Sequence, residues 1–198
     1  MTATLVSQRA RLVALVLAAV MLAAAGMAVV ASRSQLSNAS AATAGLVRME
    51  MKVTGQRTGV FPGDSPVKNH QNQILISNFS FEIVSPRDAA SGLPTGKRQF
   101  KPITITKEVD AASPLLLHSL TTNENLTSVV INFFKTDRSG KESNYYRVTL
   151  TNASISDARQ YASGSTIDED VSFTFQKIQE DNLVAKTTFQ DDWQAAIA

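Results

Sequence analysis

The strongest constraint on the fold is a strict alternation of apolar and polar side chains near residue 50. Val47, Met49, Met51 and Val53 are apolar, and the residues between them are charged. Successive side chains of a β-strand point to opposite faces, so a period of two predicts a strand with one face in a core. The chain is therefore expected to build at least one half-buried sheet.

Similar patterns predict more strands, at residues 73–84, 99–109, 126–135, 144–156 and 171–178, with a weaker one at 182–189. In the first of these segments we expect Leu75, Phe79, Phe81 and Ile83 to share the buried face. The connection at 136–141 contains a glycine, which suits a hairpin turn. Several alternating strands predict a mainly β fold, a sandwich or a small closed barrel of antiparallel strands.

One short helix interrupts the strands. Ser113 can cap it, and Pro114 at the first helical position loses no hydrogen bond because the donor it lacks would have no partner there. Leu116, Leu117 and Leu120 then form a narrow apolar stripe.

The N-terminal residues follow a different pattern from the rest of the chain. Residues 12–31 carry no charge, Arg9 and Arg11 precede them, and Arg33 follows. About 20 apolar residues can span a bilayer, so a retained membrane anchor is one interpretation. A cleaved signal peptide is favoured, because the basic start and the small residues at 29–31, 39–41 and 42–44 suit export and cleavage. We predict two parts: a signal or anchor with its linker at 1–44, and a folded domain at 45–198.

The charge of the predicted domain argues against nucleic-acid binding. From residue 45 onward, sixteen Lys and Arg stand against seventeen Asp and Glu, which leaves a net charge of −1. Membrane contact is expected only through the N-terminal segment. The chain has no cysteine, which excludes a cysteine nucleophile and cysteine-based zinc sites.

Residues suited to catalysis or metal binding are few. His70 is interpreted as a surface loop residue, and His118 as a helix residue at a packing or solvent boundary. No Gly-x-Ser-x-Gly motif is present. The acidic runs at 168–170 and 191–192 lack EF-hand spacing and are interpreted as solvated loop ends. We therefore predict a non-enzymatic protein without cofactor or metal; a secreted hydrolase using either histidine is the least favoured alternative.

Two segments are candidates for contact with a partner. Residues 55–72 hold three glycines and two prolines without periodicity, and a run this long in a compact domain usually has a function. The basic cluster of Lys97, Arg98 and Lys101 is interpreted as an exposed strand edge, where charge also discourages unwanted strand pairing.

Several segments resemble the Hcp family, the tube proteins of bacterial type VI secretion. The most specific is KRQFKP at 97–102, followed by KEVD at 107–110 and SP at 113–114. The match continues through residues 122–124, 144–146, 150–153 and 173–178. The resemblance covers essentially residues 46–193.

The resemblance implies a small β-barrel of two antiparallel sheets with a helix at its flank. It also implies self-association into a homohexameric ring, with stacking of rings and a channel that can carry a small effector protein. The expected subunit interface is drawn from the 55–72 loop and the basic cluster: Arg57, Phe61, Lys68, Lys97, Arg98 and Lys101.

The N-terminal segment departs from the family, whose tube subunits are made in the cytoplasm and leave through the secretion machine. We therefore predict an exported relative that is secreted or periplasmic, with anchoring through residues 12–31 as the alternative location. A monomeric secreted binding module with the same barrel is the second hypothesis for function.

Overall fold

The computed structural model describes residues 47–68, 70–137 and 139–194. The predicted signal or anchor and its linker lie outside these residues. The elements in chain order are β1 (Val47–Gly55), β2 (Gly59–Val60), β3 (Ile74–Ile76), β4 (Asn78–Ser80), β5 (Ile83–Val84), β6 (Gln99–Phe100), β7 (Ile103–Glu108), α1 (Ser113–Thr121), β8 (Leu126–Thr136), β9 (Glu142–Ser163), β10 (Thr166–Asn182) and β11 (Thr187–Asp192).

Nine of these strands form one antiparallel sheet. Its order is β2-β1-β8-β9-β10-β7-β4, with β11 added to β10 and β3 added to β1. The second sheet is only the short β5–β6 pair. The prediction of a mainly β fold with antiparallel strands and one short helix is confirmed.

The two ends of the large sheet are linked by the segment that contains β3 and β4. Strand β3 pairs with β1, and β4 pairs with β7, with Ser77 between them. No continuous ladder closes the barrel within the described residues, because β3 does not pair with β7 and β4 does not pair with β1. The structure therefore differs from the predicted closed barrel: this segment bridges the two ends of the sheet but does not close it.

The core is built mainly from alternate residues of the strands of this sheet. Met51 and Val53 from β1 meet Val129 and Ile131 from β8, and all four are fully buried. Burying an aliphatic side chain of this size contributes about 1.5–3 kcal/mol relative to leaving it exposed. The alternation of apolar and polar side chains near residue 50 therefore places the apolar face of β1 against the core.

The predicted face of the 73–84 segment is wrong at both ends, since Leu75 and also Ile83, which is 43% exposed, do not lie in the core. Ile74 and Ile76 are buried and Leu75 is 38% exposed, whereas Phe79 after Ser77 does pack against the core. The chain changes faces at Ser77, whose N–H and hydroxyl both donate to the Thr106 carbonyl, at 2.8 and 3.0 Å. A shift of one residue exchanges the two faces of a strand, so one period cannot describe the whole segment.

The helix begins where the sequence predicts, but its start is built differently. Ala112 occupies the cap position, and no side chain caps the helix. The Ser113 hydroxyl donates instead to Glu169 at 2.7 Å, and Pro114 lies in the first turn. The predicted Ser113 cap is therefore wrong. Among the described residues, no helix has the length and apolar character needed to cross a membrane.

Candidate assembly surface

The turn that opens the 55–72 segment is held by one buried carboxylate. Glu124, between α1 and β8, is only 2% exposed. Its Oε1 accepts hydrogen bonds from the N–H groups of Arg57 and Thr58, at 2.7 and 2.8 Å, and its Oε2 accepts one from the Thr58 hydroxyl at 2.7 Å. The Thr58 hydroxyl and these N–H groups stabilise the charged form and lower the pKa of Glu124 to about 2.

A second buried carboxylate holds the far end of the same segment. Glu50 of β1 is 1% exposed and accepts a hydrogen bond from the Ser65 hydroxyl at 3.1 Å. Its Oε2 lies 2.6 Å from Nδ1 of His70, and its Oε1 pairs with the guanidinium of Arg48. The His70 ring also packs edge-on against Phe134, with ring centroids 5.1 Å apart. His70 therefore lies in the loop, as interpreted, but its side chain is partly buried and is held by Glu50 and Phe134.

Phe61 and Gly63 fix the middle of the segment. Phe61 is fully buried, and its N–H donates to the Val53 carbonyl at 3.0 Å. A Cβ added at Gly63 would lie 2.2 Å from the carbonyl oxygen of Gln73. Only glycine allows this approach, so the segment folds back on its own domain at three points and presents one defined surface.

The six predicted interface residues fall into two groups at different places. Arg57 is exposed and its guanidinium donates to the Thr122 hydroxyl at 3.2 Å, and Lys68 is exposed further along the segment. Phe61 has no exposed surface in this chain, so it cannot contact a neighbouring subunit directly as the domain stands. Its role in the predicted interface is limited to positioning the segment around it.

The second group surrounds the start of β7. Lys97 and Lys101 are exposed, whereas Arg98 is partly buried, pairs with Asp191 and lies over the Phe100 ring at 5.8 Å. Phe100 packs edge-on against Trp193, with ring centroids 5.2 Å apart. The exposed-edge interpretation therefore applies to the two lysines, while Arg98 joins the loop to β11.

A buried ion network ties the helix to the sheet. Nζ of Lys107 lies 2.8 Å from Oε1 of Glu169 and 2.7 Å from Oδ1 of Asp110, and the lysine side chain is fully buried. Burial by itself raises the pKa of Glu169, but hydrogen bonds from Gln160, Lys107 and Ser113 outweigh it and hold that pKa below its usual value.

The acidic runs are therefore not solvated loop ends. Glu169 lies within β10 and is 1% exposed, and Asp191 lies in β11 and pairs with Arg98. In the part of the chain that the structure describes, no group of three His, Asp or Glu could hold a metal ion.

The histidines do not form a nucleophile and base arrangement. The Ser65 hydroxyl contacts Glu50 and not the imidazole of His70, although a hydrolytic triad requires direct contact between hydroxyl and base. His118 is exposed on α1, and its imidazole has no hydrogen-bond partner among the described residues; only its backbone carbonyl accepts, from the hydroxyls of Thr121 and Thr122. The contacts of His70 are those of a structural anchor.

Sequence reasoning missed Glu124, Glu50 and Lys107, the three buried charges that hold these segments. Two of them have partners far away in the chain: Glu124 binds Thr58, which is 66 positions away, and Lys107 binds Glu169, which is 62 away. Glu50 binds His70, which is 20 positions away in a segment without periodicity. The only sequence signal was the charge at Lys107 on the alternating face that carries Ile103 and Ile105.

Comparisons with known proteins agree with this architecture. The family model for "Type VI secretion system effector, Hcp" matches residues 51–181. The "Major exported protein" of Pseudomonas aeruginosa PAO1 is 36% identical over 165 residues, which is 75% of this chain and 96% of that protein.

Solved structures agree as well. "Secreted protein Hcp3 from Pseudomonas aeruginosa" matches with a TM-score of 0.65 at 33% identity, covering 76% of this chain and all of that one. "Crystal structure of Hcp protein" matches with a TM-score of 0.70 at 25% identity, covering 74% of this chain and 99% of that one.

Proposed function

The chain belongs to the Hcp family of type VI secretion proteins, and we propose that it is a non-enzymatic, ring-forming structural or carrier protein exported from the cytoplasm. The observation that carries this proposal is the extent of the match, which includes 96% of the exported Pseudomonas relative. The family match at residues 51–181 includes the anchored 55–72 segment and strand β7. A tube-type role therefore needs no part of the chain beyond this domain.

Ring formation requires two different surfaces that fit each other on neighbouring subunits. Strand β11 pairs only with β10, so one of its edges is open within the described residues, and its first four residues are exposed. Arg57 and Lys68 on the anchored segment form a second exposed region. Open strand edges carry backbone groups that a neighbouring subunit can satisfy, which supports self-association.

We propose residues 1–44 as the export segment and 45–198 as the domain that assembles, with a small effector protein as the cargo of the channel. The relative's name as an exported protein supports a location outside the cytoplasm. Anchoring through residues 12–31 is the alternative.

Native mass spectrometry and negative-stain electron microscopy of the purified mature chain test the proposal. We expect a mass of six subunits and rings with a central channel. A strictly monomeric protein at high concentration would contradict ring formation and favour the monomeric binding module.

A further inference from the structure

The start of β7 carries an open groove with aromatic walls and a basic rim. The groove has a volume of about 260 Å³ and is lined by Phe100, Lys101, Pro102, Thr174, Phe175 and Trp193. Trp193 is 47% exposed although it packs on Phe100. Lys101 is exposed and its ammonium group has no hydrogen bond or ion pair among the described residues, and the exposed Lys97 lies two positions before the β6 strand that leads into the groove.

The end of β7 carries a pocket of opposite charge. It has a volume of about 280 Å³ and is lined by Asp64, Leu75, Glu108, Val109 and Asp110. Leu75 and Val109 are 38% and 39% exposed, so the pocket has aliphatic walls. Its charge is only partly compensated: Asp110 pairs with Lys107, Asp64 accepts one N–H from Ala111, and the Glu108 carboxylate has no partner among the described residues.

These two surfaces cannot satisfy each other within one chain. Strand β7 has six residues, so its first and last Cα atoms are separated by about 17 Å, at 3.3 Å per residue. The two surfaces match in kind, however, because each has apolar walls and a charged rim, and the rims have opposite signs. Lysine stems can also pack along aliphatic walls while their ammonium groups reach carboxylates.

Building on the proposed self-association, we infer that the acidic pocket of one copy docks on the basic aromatic groove of a second copy. Leu75 and Val109 would cover Trp193, and Lys97 and Lys101 would face Glu108 and Asp64. Contact between two like ends is disfavoured because it brings equal charges together. The contact is heterologous and directs copies head to tail.

Thiol cross-linking tests this directly, because the chain has no cysteine of its own. The variants are Lys101→Cys and Glu108→Cys, purified separately and then mixed with a short bis-maleimide. We expect a cross-linked dimer from the mixture, little from either variant alone, and a ladder of higher masses from the double variant. Lys52→Cys mixed with Asp157→Cys is the control, since both residues are exposed and neither lines the groove or the pocket.

A charge exchange provides an independent test. Lys97→Glu with Lys101→Glu should weaken association by about tenfold or more, because equal charges then face each other, and Glu108→Lys should do the same. All three changes in one chain should restore association. Sedimentation velocity measures the effect, and thermal unfolding shows that each variant is folded.

The outcomes separate this inference from the proposed function. Rings that form without any 101–108 cross-link, and that ignore the charge changes, would overturn the head-to-tail contact and leave ring formation intact. Cross-links between two copies of Lys101→Cys would also overturn it. A chain that never associates would overturn ring formation and the contact together.

Discussion

Glu124 shows how one side chain sets the position of a long segment. The N–H groups of Arg57 and Thr58 would otherwise have no strand partner at the turn after β1, and the carboxylate accepts both. Hydrogen bonds to a charged acceptor contribute more than neutral ones, and a buried N–H without a partner is costly. The turn that opens the 55–72 segment therefore depends on Glu124, which lies just after the C-terminal end of α1.

The substitution Glu124→Gln tests this role. The amide loses the charge and part of the acceptor capacity, so we expect the free energy of unfolding at neutral pH to fall by about 2 kcal/mol. Urea denaturation measures the change. Glu82→Gln is the matched control, because Glu82 is exposed and its side chain has no partner among the described residues. An equal effect of both substitutions would contradict the anchoring role.

The same carboxylate predicts a direction of pH dependence. The pKa of Glu124 is lowered from 4.5 to about 2, so its contribution to stability is fully present above the unfolded value of 4.5. It is lost as the pH falls toward 2. The stability difference between the native chain and Glu124→Gln should therefore shrink over this interval, and a constant difference would argue against the charge as its cause.

The two histidines form a natural pair for testing the second anchor. His70→Ala removes the contacts with Glu50 and Phe134, so amide hydrogen exchange in residues 65–73 should rise about tenfold. His118→Ala should leave that segment unchanged, because His118 is exposed on α1. Equal protection of residues 65–73 in both variants would contradict the anchor.

At the scale of elements, the sequence predicts strands where one face remains buried along the whole segment. Strand β1 and the β8–β9 hairpin follow from alternation and from Gly140, whose φ is +82°. The prediction is wrong at Ser77 because the chain changes its strand partner there, from β1 to β7. Pairing depends on distant strands, and a local period contains no information about it.

The same reason explains the incorrect assignment of residues 168–170. Three acidic residues in a row suggest solvent, but Glu169 lies opposite Lys107 in the β10–β7 register. The charge becomes buried only because that register brings a buried lysine to it. The 55–72 segment differs from this case, because its composition alone predicts a functional segment. The carboxylates that anchor it, Glu50 and Glu124, lie outside the segment, and its composition gives no information about them.

Gly63 allows a test of how tightly the loop crosses β3. In Gly63→Ala, the new Cβ would lie 2.2 Å from the Gln73 carbonyl oxygen, so the backbone must shift. We expect a loss of more than about 2 kcal/mol in the free energy of unfolding. Gly96→Ala is the control, since its Cβ would meet nothing within 4 Å. Equal stability of the two variants would contradict the tight crossing.

At the scale of the whole molecule, the chain combines a domain of nearly balanced charge with an apolar N-terminal segment. Charge is distributed unevenly within the domain, because carboxylates lie at one end of β7 and lysines at the other. These opposite charges nearly cancel in the net charge of the domain. A net charge near zero gives little long-range repulsion between copies, and opposite local charges can then orient them. We therefore propose that export and assembly depend on different parts of the sequence.

That separation predicts the result of removing the first 44 residues. A chain beginning at residue 45 keeps every core residue, so its unfolding temperature should match that of the mature exported chain to within about 1 °C. It should remain in the cytoplasm, whereas the full chain should be recovered outside it. Residues 1–44 fused to an unrelated passenger should export that passenger, and N-terminal sequencing of the recovered protein locates any cleavage. Cytoplasmic retention of the full chain, or loss of folding in the shortened one, would contradict the division at residue 45.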